Sequence, residues 1–191
     1  MKSVKKLSVV DMLKWLETDT HGKPQYTNPA LMVLCHYLIK VGLGSSILEV
    51  EFQSGETANR GSVGELLTKL VINHILGTDL KEVSKSQKGE TDLEIVGTKK
   101  DVAKIGLGFI PRGLEVKYAN TNTKASGFEK SVSPDTLVML LGGASKAVKQ
   151  GYYLVKVKDL ITDPKTGKIF LDSALNGKRM HTLNKLVGFG D

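Results

Sequence analysis

The sequence predicts an α/β fold, a sandwich in which a small mixed β-sheet is flanked by α-helices, and three observations support it. Segments with apolar residues at helical spacing dominate the first half of the chain. Shorter alternating or continuous apolar segments, which are typical of strands, follow in the second half. Hydrophobic content of 40% in 191 residues is enough for one domain with a packed core. A chain that mixes helices and strands in this way typically folds into packed layers of helices and sheet.

Five segments predict helices, from a capping signal or a periodic apolar stripe. They are residues 9–19, 29–41, 62–75, 134–149 and 173–187. Ser8 and Asp11 form a capping box at the start of the first helix. Asn28 is the predicted N-cap of the second helix, and Pro29 occupies its first turn. The double glycine at positions 142 and 143 suggests a bend or a close contact in the fourth helix.

Four segments predict strands, at residues 47–52, 92–96, 114–118 and 152–158. The third lies in the sequence GLEVKYA, where strand alternation places Glu115 and Lys117 on one face. The glycines of residues 101–109 predict a loop or a broken element. We therefore expect a single domain over residues 1–191. Its core would span residues 62–158, with the helices of residues 1–52 and the helix at 173–187 as additions.

Charge and composition restrict the class of partner. The net charge of +7 and the pI of about 9.4 favour a polyanion, although only three of the 27 basic residues are arginines. Cys35 is the one cysteine and lies in the apolar sequence LMVLCHYLI, which predicts a core residue and excludes an internal disulfide. No run of 18 apolar residues predicts a membrane span, and the N-terminus lacks a signal-peptide pattern, so we expect an intracellular, cytoplasmic protein.

Acidic residues near the start of two predicted strands indicate a metal site. Asp92 and Glu115 lie 23 positions apart, and they meet at one end if their strands pair like a hairpin. Two carboxylates with water and a phosphate suit Mg²⁺, with Mn²⁺ as a substitute. Lys117 would then orient the attacking water or neutralise developing charge. Glu94 competes with Asp92 for this role, and we favour Asp92 because it lies where its strand begins.

The order of these residues resembles the PD-(D/E)xK nuclease superfamily, which includes many restriction endonucleases and resolvases. Asp92 matches the first acidic position of the motif, and Glu115 and Lys117 match its (D/E)-x-K. Glu65 fits the glutamate that many members carry on a preceding helix. The match covers residues 62–158. Thr91 departs from the pattern because the family name has proline at that position.

The resemblance implies a restriction-endonuclease-like fold and Mg²⁺-dependent cleavage of duplex DNA, frequently by a homodimer. It also implies that Asp92 and Glu115 bind the metal, and that Glu65 joins them through the water shell or a second metal. Two roles remain open within this class, a sequence-specific restriction enzyme and a structure-specific nuclease such as a junction resolvase. The sequence GLGFIPRG, residues 106–113, lengthens the connection between the two strands.

Ordinary roles compete with these functional ones. Glu65 follows Ser62 by three positions, so that it could complete a capping box, and Glu115 with Lys117 could form a solvated strand face. The four histidines lack metal-ligand spacing, which disfavours a zinc or HNH mechanism. A basic nucleic-acid-binding module without catalysis is the alternative of another class. The candidate phosphate contacts are Arg60, Lys85, Lys88, Arg112, Lys124 and Lys130.

Overall fold

A computed structural model describes residues 3–19, 24–53, 58–77, 79–82, 91–111, 113–118, 124–125, 137–142, 151–156, 165, 169–170, 178–179 and 181–188. The helices of these residues are α1 (Val9–Thr18), α2 (Pro24–Lys40), α3 (Arg60–Leu76), α4 (Lys99–Ala103) and α5 (His181–Val187). The strands are β1 (Ser3–Ser8), β2 (Ile47–Phe52), β3 (Lys81–Glu82), β4 (Leu93–Glu94), β5 (Leu114–Tyr118), β6 (Lys124–Ala125), β7 (Leu137–Gly142), β8 (Gly151–Lys156), β9 (Ile169–Phe170) and β10 (Lys178–Arg179). Within the described ranges, no helix has the length and apolar content to cross a membrane.

A six-stranded sheet forms the centre of the fold, with strand order β10-β8-β7-β5-β4-β3. Strands β5 and β7 run parallel, whereas every other neighbouring pair in this sheet is antiparallel. Two smaller antiparallel sheets, β1-β2 and β6-β9, accompany it. The predicted α/β class and mixed sheet are therefore confirmed, while the restriction-endonuclease-like topology stays a prediction.

The N-termini of the first two helices were predicted from local capping signals, which are correct for α1 but not for α2. Ser8 is the N-cap of α1, and its hydroxyl accepts a hydrogen bond from the Asp11 N–H at 3.1 Å, as predicted. The predicted start of α2 is wrong, because α2 begins at Pro24 and contains Pro29 in its interior. Asn28 does not cap α2. Its buried amide instead donates to the Leu16 carbonyl at 3.0 Å and joins α2 to α1.

Helix α3 also begins at a different residue from the one that the sequence predicts. Its N-cap is Asn59, whose side-chain oxygen accepts hydrogen bonds from the backbone N–H groups of Gly61 and Ser62. The capping box proposed for Ser62 and Glu65 is therefore wrong, because the helix begins two residues earlier than residue 62 and already has a cap. Glu65 lies in the second turn of α3, a helix that packs against β5.

The largest error of secondary-structure prediction lies in the second half of the chain. Residues 137–142, inside the segment predicted as a helix, form β7 between β5 and β8. A continuous apolar run such as LVMLLG fits a central strand as well as a buried helix, so periodicity cannot separate the two. The last helix begins at His181 rather than near residue 173, and β10 occupies part of its predicted length.

Tyr152 of β8 shows which face of the sheet the helices cover. Its hydroxyl donates to the Ala30 carbonyl of α2 at 3.0 Å, and its backbone N–H donates to Asn184 Oδ1 of α5 at 2.9 Å. The strand register places Tyr152 on the same sheet face as Leu114 and Val116, which are buried. Because side chains alternate along a strand, Glu115 belongs to the opposite face of the sheet.

Candidate functional site

The pairing of β4 with β5 brings the two predicted carboxylates together. Leu93 lies opposite Leu114 in an antiparallel register, and both side chains are buried in the core. Asp92 immediately precedes β4, and Glu115 is the second residue of β5. The predicted hairpin-like pairing is thereby confirmed, because residues 23 positions apart in the sequence become neighbours.

Two hydrogen bonds between a backbone N–H and a carboxylate hold the acidic residues at this junction. The backbone N–H of Asp92 donates to Glu115 Oε2 at 3.2 Å. Asp92 Oδ2 accepts a hydrogen bond at 2.8 Å from the backbone N–H of Val116, the residue after Glu115. Backbone donors of this kind stabilise the charged form of a carboxylate. The main chain of β4 and β5 therefore holds both carboxylates at one point, where the two strands meet.

Burial makes this pair unusual. The Glu115 residue is only 6% exposed, and Asp92 is partly buried. Glu115 Oε2 and Asp92 Oδ2 both accept hydrogen bonds from backbone N–H groups there, so the two acidic side chains share one largely buried position. A solvated strand face would leave Glu115 exposed, so the ordinary role considered for this residue does not describe it. Two carboxylates at one point are ligands that a divalent cation can bind.

Thr91 and Gly113 support the bend of the chain at Asp92, and sequence reasoning missed this role. The Thr91 hydroxyl donates to the Leu93 carbonyl at 3.0 Å, across Asp92. Its side chain lies directly on Gly113, where an added Cβ would be 2.6 Å from Thr91 Cγ2 and closer still to Oγ1. Gly113 is thus required because the Thr91 side chain fills the space that a larger residue would need. The glycine immediately before β5 was the available signal.

Glu94, the alternative to Asp92, has a different environment. It is exposed on β4 and lies directly opposite Lys81 of β3. Opposite charges across neighbouring strands stabilise a solvated sheet edge, so the register gives Glu94 an ordinary role. The choice of Asp92 as the partner of Glu115 agrees with the hydrogen bond between them.

The positions of Glu65 and Lys117 relative to the two carboxylates are only partly described by the structure. Within the described part of the chain, no group of three or more His, Cys, Asp or Glu side chains lies close enough to hold a metal ion. Glu65 is therefore not assembled with Asp92 and Glu115 into a three-carboxylate site. The backbone of Lys117 follows Glu115 by two residues on β5 and pairs with Leu140. The predicted roles of Glu65 at the metal and of the Lys117 ammonium stay predictions.

Arg60, one of the candidate phosphate contacts, has partners inside the protein. Its guanidinium forms an ion pair with Asp19, and its Nε donates to Asn28 Oδ1 at 2.9 Å. The Arg60 side chain is 13% exposed and that of Asp19 is 1% exposed. The guanidinium also lies 5.8 Å from the centre of the Trp15 ring. These contacts hold α3 against the first two helices, so the Arg60 side chain has a structural role that involves no phosphate. A contact between Arg60 and phosphate stays a prediction.

The other candidate phosphate contacts lie mostly beyond the described ranges. Lys85, Lys88, Arg112 and Lys130 are outside the described residues. Lys124 is on β6, where its backbone pairs with that of Phe170. Their predicted contacts with a nucleic acid therefore stay predictions.

Comparisons with known proteins do not assign a function to this site. No family model, no curated protein and no solved structure matches this chain. The resemblance to the PD-(D/E)xK nucleases accordingly depends on the motif residues themselves. The geometric support is the approach of Asp92 to Glu115 at the junction of β4 and β5, where the Asp92 N–H donates to Glu115 Oε2.

Proposed function

We propose that the protein is a Mg²⁺-dependent endonuclease that hydrolyses phosphodiester bonds in DNA. One observation carries the proposal: Asp92 and Glu115, predicted as metal ligands from their sequence positions, are brought together by hydrogen bonds from the Asp92 N–H to Glu115 and from the Val116 N–H to Asp92. The net charge of +7 supports a polyanionic substrate. Two carboxylates brought to one point in this way are a donor set that a divalent cation can bind.

The donor set fits the proposed metal. Mg²⁺ is typically bound through one or two carboxylates, while waters and substrate phosphates complete its octahedral shell. The pair supplies two carboxylates from Asp92 and Glu115, with no thiolate or imidazole in a group with them among the described residues. Hard oxygen donors of this kind suit Mg²⁺ and Mn²⁺ better than softer metals. A site with only two protein carboxylates also leaves coordination positions for a phosphodiester.

Each residue then has a definable task. Asp92 and Glu115 would hold the ion, which supplies Lewis-acid stabilisation of the phosphate and a more acidic bound water. The ammonium of Lys117 would balance the negative charge that develops on the phosphate oxygens, or orient the attacking water. Glu65, on the helix that packs against β5, would contact water near the ion. Thr91 and Gly113 would keep the backbone N–H of Asp92 directed at Glu115.

The proposed partners follow from the same reaction. Cutting both strands of a duplex takes two sites, so we expect a homodimer if the products are double-strand breaks. A restriction-type enzyme would give discrete fragments, whereas a structure-specific nuclease such as a junction resolvase would cut branched or distorted DNA. The alternative of another class is a basic module that binds nucleic acid without cutting it.

Supercoiled plasmid separates these functions. We would incubate it with the protein in Mg²⁺, in EDTA, and with the Lys117→Ala variant in Mg²⁺. The matched control is Lys81→Ala, which removes an exposed lysine of β3. We expect cleavage that requires Mg²⁺ and Lys117 and is unchanged in the control. Discrete fragments would indicate sequence specificity, and nicking would direct the next assay to branched DNA. Retained DNA binding with no cleavage in any condition would overturn the proposal in favour of the binding module.

A further inference from the structure

The β1–β2 sheet has one face on the core and one face toward solvent. The side chains of Leu48, Val50 and Phe52 alternate along β2 and are buried. On the opposite face lie Val4, 63% exposed, and Ile47, 60% exposed, the most exposed large apolar side chains in the described part of the chain. The solvated face of an antiparallel sheet normally carries polar side chains. These two apolar groups therefore mark the outer face as a candidate contact surface.

The strand register arranges this outer face in three rows of side chains that lie opposite one another across the two strands. The rows are Val4 with Glu51, Lys6 with Glu49, and Ser8 with Ile47. The central row is an ion pair in which Lys6 Nζ lies 3.2 Å from Glu49 Oε1, and these side chains are 73% and 64% exposed. Both charges of the central row are therefore accessible to a partner, and the apolar side chains lie at the two ends of the face.

The charge of the outer face disfavours a nucleic acid as its partner. The face carries one lysine and two glutamates, although the net charge of the protein is +7. Lys5 belongs to the other face, where its ammonium lies 4.8 Å from the centre of the Phe52 ring. A two-stranded ribbon can enter the major groove of DNA, but the glutamates would repel the phosphates. A face with charges of both signs is instead suited to a protein partner.

The edge of β1 that faces away from β2 is a poor contact for a second copy of the chain. Lys5 and Lys6 occupy the middle of this strand. Two copies of β1 paired antiparallel about their middle would place lysine opposite lysine. Like charges directly opposite one another destabilise a strand pair, and lysines on an edge strand commonly prevent such pairing. The outer face of the sheet is therefore the better contact for a second copy.

A two-fold axis parallel to the strands makes the outer face complementary to itself. Rotation about this axis lays β1 of one copy over β2 of the second copy, row against row. Lys6 then meets Glu49 of the second copy, and Glu49 meets Lys6 of the second copy, so that four charges alternate in sign. The two sheets pack nearly aligned, which is a common arrangement of stacked sheets. Val4 and Ile47, at the two ends of the face, become covered.

We propose that the outer face of the β1–β2 sheet binds a second copy of the chain and forms a two-fold symmetric dimer. Each strand has six residues, so the face is about 20 Å long. A contact of this length is smaller than a standard protein–protein interface, and we therefore expect a weak dimer that depends on concentration. The inference does not depend on the proposed reaction, because the contact uses neither Asp92 nor Glu115.

Sedimentation equilibrium of the protein, without DNA or metal, measures this contact. We expect a monomer–dimer equilibrium with a dissociation constant of roughly 10–100 µM. Ile47→Asp places a charge in the contact and should weaken the dimer at least about tenfold. Lys6→Glu and Glu49→Lys should each weaken it as well, because they place like charges opposite one another. The control is Lys100→Glu, which reverses an exposed lysine on α4 and should leave the dimer unchanged.

A mixture of the two charge-reversed variants separates a contact between copies from a change within one copy. In Lys6→Glu both side chains of the central row are acidic, and in Glu49→Lys both are basic. A heterodimer of the two variants pairs opposite charges across the contact, so the mixture should dimerise more tightly than either variant alone. Repulsion within each copy is the same in the mixture, so only a contact between copies explains the recovery. Circular dichroism verifies that each variant is folded.

Four results would overturn the inference. A wild type that stays monomeric at about 1 mM would exclude a dimer of the expected strength. A dimer that Ile47→Asp leaves unchanged would lie on another surface. A mixture of folded charge-reversed variants that dimerises no better than either alone would reject the charge contact. A monomeric wild type whose binding to duplex DNA falls in Ile47→Asp would assign the face to nucleic acid.

Plasmid cleavage is read separately from dimer formation. Wild-type cleavage together with any of those four results rejects the dimer contact and keeps the proposed function. A mixture that recovers the dimer, in a protein that cuts no DNA, rejects the nuclease and keeps the contact.

Discussion

Two charged clusters of this protein differ in how their charges are balanced. In the first, the Arg60–Asp19 cluster, opposite charges from α3 and the end of α1 form a buried ion pair. In the second, the Asp92–Glu115 pair, two acidic side chains meet at the junction of β4 and β5. In the first cluster, the guanidinium also donates to Asn28 and lies near the Trp15 ring.

The difference separates a structural cluster from a candidate functional one. A buried ion pair with additional hydrogen bonds satisfies its own charges, so its loss should appear as a loss of stability. The Asp92–Glu115 pair accepts backbone hydrogen bonds that amide side chains of the same shape can still accept, so Asp92→Asn and Glu115→Gln should affect stability little. If the pair serves a metal, its loss should instead abolish the reaction. Substitutions in the two clusters should therefore have opposite consequences.

The largest expected effect is on activity at the Asp92–Glu115 pair. Asp92→Asn and Glu115→Gln each remove a charged oxygen ligand, so Mg²⁺-dependent plasmid cleavage should fall by about 100-fold or more. Denaturant unfolding should show little loss of stability in the same variants. Glu94→Gln is the matched control, because Glu94 is exposed opposite Lys81 and should be dispensable for cleavage. Wild-type activity in Glu115→Gln would refute its role as a ligand.

The Arg60–Asp19 cluster should show the converse result. Asp19→Ala leaves the Arg60 guanidinium buried without its carboxylate, so the free energy of unfolding should decrease by about 3–5 kcal/mol. Lys6→Ala breaks an exposed ion pair with Glu49 and should change stability by less than about 1 kcal/mol. Chemical denaturation measures both. A small effect in Asp19→Ala would mean that the cluster is not a structural tie between the helices.

Gly113→Ala should disturb the support of the Asp92–Glu115 pair. The new Cβ overlaps the Thr91 side chain, so we expect a loss of about 1–3 kcal/mol in stability and reduced cleavage through displacement of Asp92. Adding Thr91→Ala removes Oγ1 and Cγ2 and should recover part of the stability. Gly108→Ala is the control for stability, because nothing lies within 4 Å of a Cβ at that position. Equal effects at Gly108 and Gly113 would contradict the close contact with Thr91.

A smaller effect is expected at Thr68 on the buried side of α3. Its hydroxyl is buried and has no hydrogen-bond partner among the described residues. Thr68→Val keeps the shape and removes the unsatisfied oxygen, so the protein should become more stable by about 1 kcal/mol. Thr68→Ser keeps the oxygen and removes a methyl group, so it should lose stability. Thermal unfolding compares the variants, and a destabilised Thr68→Val would show that the hydroxyl has a partner in solution.

Local patterns predicted the parts of the fold that depend on neighbours in sequence. The cap at Ser8, the strand at residues 47–52 and the β5 strand all follow from nearby residue types. The approach of Asp92 to Glu115 was predicted because it needs only that two consecutive sheet strands pair. Conversely, β7 was missed because its apolar run has no distinguishing period, and only its two neighbouring strands show that it is a strand.

Tertiary contacts account for the parts of the site that sequence patterns missed. Arg60 and Asp19 are 41 positions apart, so no local rule connects them. Asn28 has the residue type of an N-cap, but its amide bridges α1 and Arg60 instead. The contact between Thr91 and Gly113 depends on the bend before β4, which the predicted longer strand at residues 92–96 did not contain.

The central claim is that the Asp92–Glu115 pair is a metal site, and unfolding with and without Mg²⁺ tests it most directly. Wild type and Glu115→Gln would be compared in EDTA and in Mg²⁺. Without metal, we predict that Glu115→Gln is about as stable as wild type, because the amide oxygen can still accept the hydrogen bond from the Asp92 N–H. At Mg²⁺ about 100 times the dissociation constant, the wild type should gain about 2.7 kcal/mol, and the variant much less. Equal responses to Mg²⁺ in the two proteins, or none in the wild type, would contradict the claim.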